Sequence, residues 1–275
     1  MISTIRPLPA GNALRLFLEP PAGATRWRVL RKGTDSFDGV DDAYAAVVHV
    51  GDGRTFVDAE GLQNEVVAFY RPYYLIAGSW VEGQGNHGTP AATYVDHSTD
   101  TVAFLRERLE RGLMVECERG TFSTEMGYIQ VFTAPPSLEQ NIQFPLVTVQ
   151  LDSELPADRA IGEDIFGEED WTDESAQDSE GWLAAVQVSV VGWSLNSDER
   201  IELRKALRRL VLTNLPVFDG YGFQQVSLQQ SDVDAVNDEY GAPVYQTVGT
   251  FTCIAPVRVA SPVGLISEVV STLND

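Results

Sequence analysis

Few side chains of this chain combine the residue types and spacing that metal binding requires. His87 and His97 stand ten residues apart in a segment rich in Gly and Thr, with no other candidate ligands beside them. Cys117 and Cys253 lie in apolar, strand-like contexts without a CxxC pattern, which is typical of buried reduced thiols. Two interpretations of these histidines remain: they belong to a metal site, or they are exposed residues of a loop. We predict no metal and no cofactor.

Catalytic motifs are equally scarce. The sequence contains no GxSxG elbow, no phosphate-binding P-loop, no HExxH and no GxGxxG after a strand. The 40 acidic residues could supply a glycosidase pair, but that chemistry needs two carboxyl groups about 5 to 10 Å apart, which the sequence does not show. We predict that the chain is not an enzyme and has no catalytic residues.

Acidic residues concentrate between positions 152 and 180. This acidic insert holds twelve acids and one base, Arg159, together with the aromatic residues Phe166 and Trp171. A purely solvating linker does not need the two aromatics, which favours a loop that docks on another subunit. A mobile loop is the alternative. Calcium binding is a third, although the acids do not follow the spacing of an EF-hand loop.

Basic residues concentrate in a predicted helix that starts at Ser197 and runs to about Leu212. Arg200, Arg204 and Arg208 follow the spacing i, i+4, i+8 and therefore lie on one side of the helix. This basic stripe is either a solvated face, a contact with carboxylates of a neighbouring subunit, or a DNA contact. We predict an inter-subunit interface formed by the stripe together with Phe166 and Trp171.

The net charge of the chain is −21, with 19 basic residues against 40 acidic ones. This balance disfavours nonspecific attraction to nucleic acid, although DNA could pass such a surface without being held. The apolar runs are too short to span a bilayer, and the first residues show no signal peptide, so we predict no membrane partner.

Residues 1–95 predict an all-β domain. Leu14, Leu16 and Leu18 alternate with other residues, and a second strand carries Trp27 at its centre. Further short strands follow at regular spacing, with turn residues between them, which indicates a sandwich. Glu82–Ser98 is expected to be a loop in its first half and a linker in its second.

Two pieces of this region resemble a fibronectin type III domain: PPAGATRWRVLRKG and TFVDAEGLQNEVVAFYRPYYLIAGSW. The resemblance implies that Trp27 packs between the two sheets and that Phe69, Tyr70, Tyr73 and Tyr74 belong to a late strand. Pro72 departs from the pattern and predicts a bulge or an edge position there. The family implies a fold and an interaction module, and no chemistry.

Residues 99–275 predict an α+β domain with an antiparallel sheet and flanking helices, in the order α-β-β-insert-β-α-β-β-α. The first helix is capped by Ser98 or Thr99 and ended by Gly112, and Glu107 and Arg111 form an i,i+4 pair. Strands at Phe223–Gln230 and Tyr245–Ile254 are joined by a polar connection, Ser231–Gly241. The last helix begins with Ser261 as cap and Pro262 at its first position.

This element order resembles the tail-terminator proteins of long-tailed phages, through FPLVTVQL, WLAAVQVSVVGW, QQSDVD and PVYQTVGTFTC. The resemblance implies a virion structural protein at the neck or tail end of a contractile phage, assembled in the host cytoplasm. It would form a homo-hexameric ring that caps the tail tube and joins tail to head. Its partners would be tube, sheath and connector proteins, with genomic DNA passing through. A collar protein would look similar. The alternative is a carbohydrate- or protein-binding module without ring assembly.

Overall fold

A computed structural model describes residues 1–134, 142–157, 177–237 and 242–262 of the chain. These residues divide into two compact units. The first unit comprises residues 1–95, 177–178 and 260–262, and the second comprises the remaining described residues. Independent folding of domains 1–95 and 99–275 stays a prediction.

The first unit is built from two sheets. One has the strand order β1-β2-β5, and the other has the order β4-β3-β6-β7, with β8 also paired to β6. All of these pairings are antiparallel. The strands are β1 (Ile2–Pro7), β2 (Leu14–Leu18), β3 (Ala24–Lys32), β4 (Ala46–Gly51), β5 (Thr55–Asp58), β6 (Ala68–Ile76), β7 (Ser79–Glu82) and β8 (Asn86–Gly88).

Buried residues of both sheets form one core, which is what the predicted sandwich requires. Leu14, Leu16 and Leu18 point inward from β2 and meet Trp27 and Tyr74 of the opposite sheet. The Trp27 side chain is only 4% exposed, as predicted. The fibronectin type III identity itself stays a prediction.

A bulge lies opposite Pro72, as predicted, because the three residues 83–85 between β7 and β8 oppose only residues 71 and 72 of β6. Pro72 lies inside β6, which has β3 on one side and β7 and β8 on the other, and the β3–β6 register is regular there. β7 pairs with residues 73–76 and β8 with residues 68–70, so the ladder is interrupted opposite Pro72. The Gly83 N–H donates to the Pro72 carbonyl from that side (2.8 Å). Because N and O of one strand residue point the same way, the missing N–H faces the interruption.

The segment predicted as loop and linker is partly a strand. Asn86–Gly88 forms β8, and the register pairs His87 with Phe69 of β6. The two rings contact each other at a centroid distance of 5.7 Å. The loop prediction is therefore wrong for residues 86–88, where a short strand covers the edge of β6. A two-residue strand, β9 (Val95–Asp96), follows.

The second unit opens with helix α1 (Thr101–Glu118). Its cap is Asp100, whose side chain accepts a hydrogen bond from the Ala103 N–H (2.9 Å), so neither Ser98 nor Thr99 has that role. Gly112 lies inside the helix and does not end it. The predicted pair of Glu107 and Arg111 is present at 2.7 Å.

The sheet of the second unit contains longer strands than predicted. Its order is β10-β11-β12-β14-β13, and β10 pairs with β11 in parallel, which departs from a purely antiparallel sheet. The strands are β10 (Gln130–Phe132), β11 (Leu146–Pro156), β12 (Gln177–Ser194), β13 (Gln224–Asn237) and β14 (Ala242–Pro262).

Three predicted boundaries are corrected by these lengths. Residues 152–156 and 177–180 of the acidic insert belong to β11 and β12, and residues 158–176 lie outside the described residues. Ser231–Asn237 continues β13 and is not a connection, because its backbone pairs with β14 as far as Asn237–Ala242. Ser261 and Pro262 end β14 and do not begin a helix. The rest of that predicted helix lies outside the described residues.

Two further helices complete the second unit: α2 (Ser197–Thr213), capped by Asn196, and α3 (Leu215–Gly220), which was not predicted. Leu105, Leu109 and Leu113 of α1 and Leu203 and Leu207 of α2 share one core with the sheet. The described chain is therefore mostly β, with antiparallel sheets and few helices, which confirms the coarse fold class.

Candidate subunit interface

The residues that suggested metal or thiol chemistry are not assembled into a site. Within the described residues no group of three or more His, Cys, Asp or Glu side chains could hold a metal ion. His87 and His97 are both exposed. Burial raises the pKa of the Cys253 thiol to about 12, with the Glu154 carboxylate adding to the shift. Cys253 is therefore a protonated core thiol at neutral pH.

The basic stripe is largely paired inside its own chain. Arg204 Nη1 lies 2.5 Å from Asp232 Oδ2 on β13, and Arg200 Nη2 lies 3.9 Å from the same oxygen. The Arg200 guanidinium also lies over the Tyr245 ring of β14, 5.7 Å from its centroid. These contacts connect α2 with strands β13 and β14. Two of the three arginines therefore have a structural partner that sequence spacing did not indicate.

Arg208 differs from the other two stripe residues. Its side chain is exposed, and among the described residues no carboxylate forms an ion pair with it. Of the three predicted interface residues that the structure describes, Arg208 is thus the one without an ion pair. Phe166 and Trp171 lie outside the described residues, so their docking role stays a prediction.

A second ion pair joins α1 to α2. Glu116 is 4% exposed and accepts from Arg209 Nη2 (2.7 Å), Arg209 Nε (3.2 Å) and the Thr121 hydroxyl (2.8 Å). The Arg209 hydrogen bonds, followed by the Thr121 bond, lower the pKa of Glu116 against the opposing effect of burial. This arrangement fixes the helix pair and leaves no free group for chemistry.

The second unit should lose stability in acid through Glu116. A carboxyl group with a lowered folded-state pKa stabilises the fold above its unfolded pKa, here the ordinary value of 4.5, and that stabilisation disappears as the pH falls through the folded pKa. We expect Glu116→Gln to cost about 1–2 kcal/mol at neutral pH, since Arg209 is partly solvated. The variant should also show a weaker pH dependence below pH 4.5. Urea unfolding across this range measures both effects, with the exposed Glu118→Gln as the unaffected control.

The other side of the sheet has a different character. The core of the second unit contains the helices together with Val186, Val188 and Val190 of β12, so the alternate residues of β12 point away from the helices. We define the outer sheet face as the regularly paired side chains that point away from the helices. They lie on four strand segments: Gln150–Leu155, Leu183–Trp193, Ser227–Val233 and Gln246–Thr252.

No member of the outer sheet face carries a charge. Its side chains are Ser, Thr, Gln, Ala, Val, Leu and Trp, and each is at least partly exposed. The nearby acids are not members of this face. Glu154 and Asp232 pair with Val186 and Thr247, which point toward the helices, and Asp152 lies at the register shift in β11. In a chain with 21% charged residues, an uncharged sheet of this size is unusual surface.

The sequence contained the signal for this surface. Between Leu183 and Trp193 the valines alternate with small or amide side chains, and the same polar alternation continues through Ser227, Gln229 and Ser231. A charge count over segments does not reveal this surface, because a strand presents alternate residues to opposite faces of a sheet. The register assigns these polar side chains to one surface.

Comparisons with known proteins give no family. No protein-family model matches the chain, and no curated protein matches it. None of the described helices is long and apolar enough to cross a membrane.

Two solved structures show distant similarity. Pectate lyase PelI from Erwinia chrysanthemi, in complex with tetragalacturonic acid, is 18% identical with a TM-score of 0.23, over 30% of this chain and 26% of that one. The sheath/tube terminator of the extracellular contractile injection system PVC, in its extended state, is 12% identical with a TM-score of 0.34. That match covers 64% of this chain and 65% of the terminator. The chain thus spans less than two thirds of either, and likeness this distant carries no functional argument.

Proposed function

We propose that this chain is a structural protein of the neck or tail end of a contractile phage virion. Its second unit would form a hexameric ring that caps the tail tube, contacts tube, sheath and connector proteins, and lets DNA pass to and from the head. The observation that carries the structural role is the uncharged, exposed outer sheet face in a chain of net charge −21. Such a surface suits protein contacts, whose centres are depleted of charged residues.

The tail-specific part of the proposal rests on the order of elements. From α1 through β14 the chain retains the predicted sequence of helix, two strands, strand, helix and two strands, with α3 added after α2. The acidic surface supports passage of DNA without attachment, because like charge gives no nonspecific attraction. Assembly in the host cytoplasm and a final location in the virion follow from the same proposal.

The mass of the purified protein in solution tests the ring. We expect light scattering coupled to size exclusion to give about six times the monomer mass of 30.2 kDa. Electron micrographs of the same peak should show closed rings with a central channel. A monomer at every concentration would favour the alternative function, a binding module.

One feature of the first unit favours that alternative. A cavity of about 310 Å³ is lined by Tyr44, which is 88% exposed, and also by Arg31 and Lys32. An exposed aromatic ring next to hydrogen-bond donors suits a carbohydrate or a peptide. Both bases are already paired, Arg31 with Asp58 (2.7 Å) and Lys32 with Asp42 (3.0 Å), so the geometry favours this function less than assembly.

Arg208 tests the proposed role of the basic stripe. Reversing all three arginines would place glutamates beside Asp232 and damage the fold itself, so the informative variant is Arg208→Glu. We expect it to leave thermal unfolding unchanged and to weaken ring assembly up to about fivefold at low salt, because one exposed ion pair contributes about 0–1 kcal/mol. Arg54→Glu, an equal charge change at an exposed position of the first unit, is the control. If the Arg208→Glu and Arg54→Glu variants assemble equally well, Arg208 is a solvated residue without a role in the ring.

A further inference from the structure

We propose that the outer sheet face packs against the same face of a second copy of this chain, as a two-fold pair. This contact goes beyond the proposed ring, because a ring closes by head-to-tail contacts and does not require a two-fold one. The partner is identified by three properties of the face: its lack of charge, its size and the chemistry of its side chains.

Charge restricts which surfaces of two copies can meet. Each copy carries a net charge of −21, so most contacts between copies bring carboxylates together. Burying an unpaired carboxylate at such a contact costs several kcal/mol. On the helix side of the second unit, Glu118 and Asp198 are examples of exposed acids. The outer sheet face lets two copies approach without that cost.

The face is large enough for a weak specific contact. Its four strands lie about 4.8 Å apart, and the outward residues of β12 from Leu183 to Trp193 extend over roughly 33 Å at about 3.3 Å per residue, while the other three segments are shorter. The four segments together cover a plane of roughly 500 Å² per copy, which is below the roughly 600 Å² per partner of stable interfaces and fits an association weaker than that of an obligate dimer. Two such sheets would stack about 10 Å apart, with their side chains interdigitated.

Its side chains are complementary to themselves. Hydroxyl and carboxamide groups both donate and accept hydrogen bonds, so Gln187 or Gln229 can pair with the same residue types on the second copy. The hydroxyls of Ser227 and Thr252 already do so across two strands, at 2.8 Å. Leu155, 62% exposed, and Val233, 43% exposed, add apolar area that water now contacts. A face of this composition matches itself better than it matches a charged partner.

Charge insertion with complementation tests the pair. Ala185 and Gln187 are exposed neighbours on the outer sheet face. The double variants Ala185→Glu/Gln187→Glu and Ala185→Lys/Gln187→Lys each place four like charges in a two-fold contact. We expect each variant alone to bind its own copies at least tenfold more weakly than the wild type, measured by sedimentation up to roughly 100 µM. An equimolar mixture of the two variants should re-associate into mixed pairs.

The controls separate this contact from folding and from the ring. Gln84→Glu and Gln84→Lys, at an exposed position of the first unit, should associate like the wild type. All variants should keep the wild-type midpoint of thermal unfolding within a few degrees. A wild-type protein that forms pairs but no rings would contradict the ring and keep the two-fold contact. Rings held by head-to-tail contacts should persist in the double variants. Double variants that pair as strongly as the wild type, a wild type without two-fold pairs, or a mixture that fails to re-associate would each overturn the two-fold contact.

Discussion

Trp27→Ala should destabilise the first unit by about 3–5 kcal/mol, the range for removing a large aromatic side chain from a core. The Trp27 side chain is 4% exposed, packs edge-on against Tyr74 at a centroid distance of 6.2 Å, and donates its indole N–H to the Gly53 carbonyl (2.9 Å). The substitution removes the packing between the two sheets and leaves that carbonyl without its donor. The loss is comparable to the entire stability of many small domains.

Denaturant unfolding followed by circular dichroism measures this loss of stability. The same experiment tests whether the two units unfold independently. We expect the transition of the first unit to shift to lower urea while that of the second unit stays in place. Trp80→Ala is the matched control, because Trp80 on β7 is 37% exposed and should cost less than about 1 kcal/mol. Equal effects of the two substitutions would contradict the sandwich core. A shift of both transitions by Trp27→Ala would contradict independent folding.

The periodicity of apolar residues predicted the strands and helices that have one buried face. The alternation of Leu14, Leu16 and Leu18 gave β2, the valines of β12 gave the central strand of the second sheet, and helical spacing gave α1 and α2. Each of these elements has a strongly apolar face, so its periodicity is visible without knowledge of its neighbours. The coarse fold class could therefore be predicted.

Polar strands could not be predicted in the same way. Ser231–Asn237 was interpreted as a connection because it has no apolar alternation, yet its backbone continues the ladder with β14. Pro262 was assigned to the start of a helix by its local preference, and it ends a strand of 21 residues. In both cases the pairing partner determines the conformation, and local propensity is overridden by tertiary contacts.

The candidate interface shows the same limitation at the level of single side chains. Arg200 and Arg204 were placed correctly on one side of α2, but Asp232, 28 residues after Arg204, could not be identified as their partner from spacing along one helix. Gly112 was given the most common role of a glycine near a helix end. Its actual role depends on Leu210, which is distant in sequence and adjacent in space.

Gly112→Ala should disturb the packing of α1 against α2. A Cβ atom at this position would lie 2.3 Å from Leu210 Cδ2 and 2.9 Å from Leu210 Cδ1, which is closer than carbon atoms can approach. Overpacking of this kind costs about 1–3 kcal/mol, occasionally more. Alanine recovers up to about 1 kcal/mol through its higher helix propensity. We therefore expect a net loss of about 1–2 kcal/mol in the second unit, although alanine normally stabilises a helix at an interior glycine.

A double-mutant cycle with Leu210→Ala identifies the cause. Leu210 is 8% exposed, so its truncation alone should cost about 2–4 kcal/mol. In the double variant the methyl group at position 112 enters the space that the leucine vacates, and the combined loss should fall at least about 1 kcal/mol short of the sum. Gly220→Ala, where an added Cβ meets no atom within 4 Å, should change stability by less than about 0.5 kcal/mol. An additive cycle would mean that the two helices approach each other elsewhere, and Gly112 would then have no packing role.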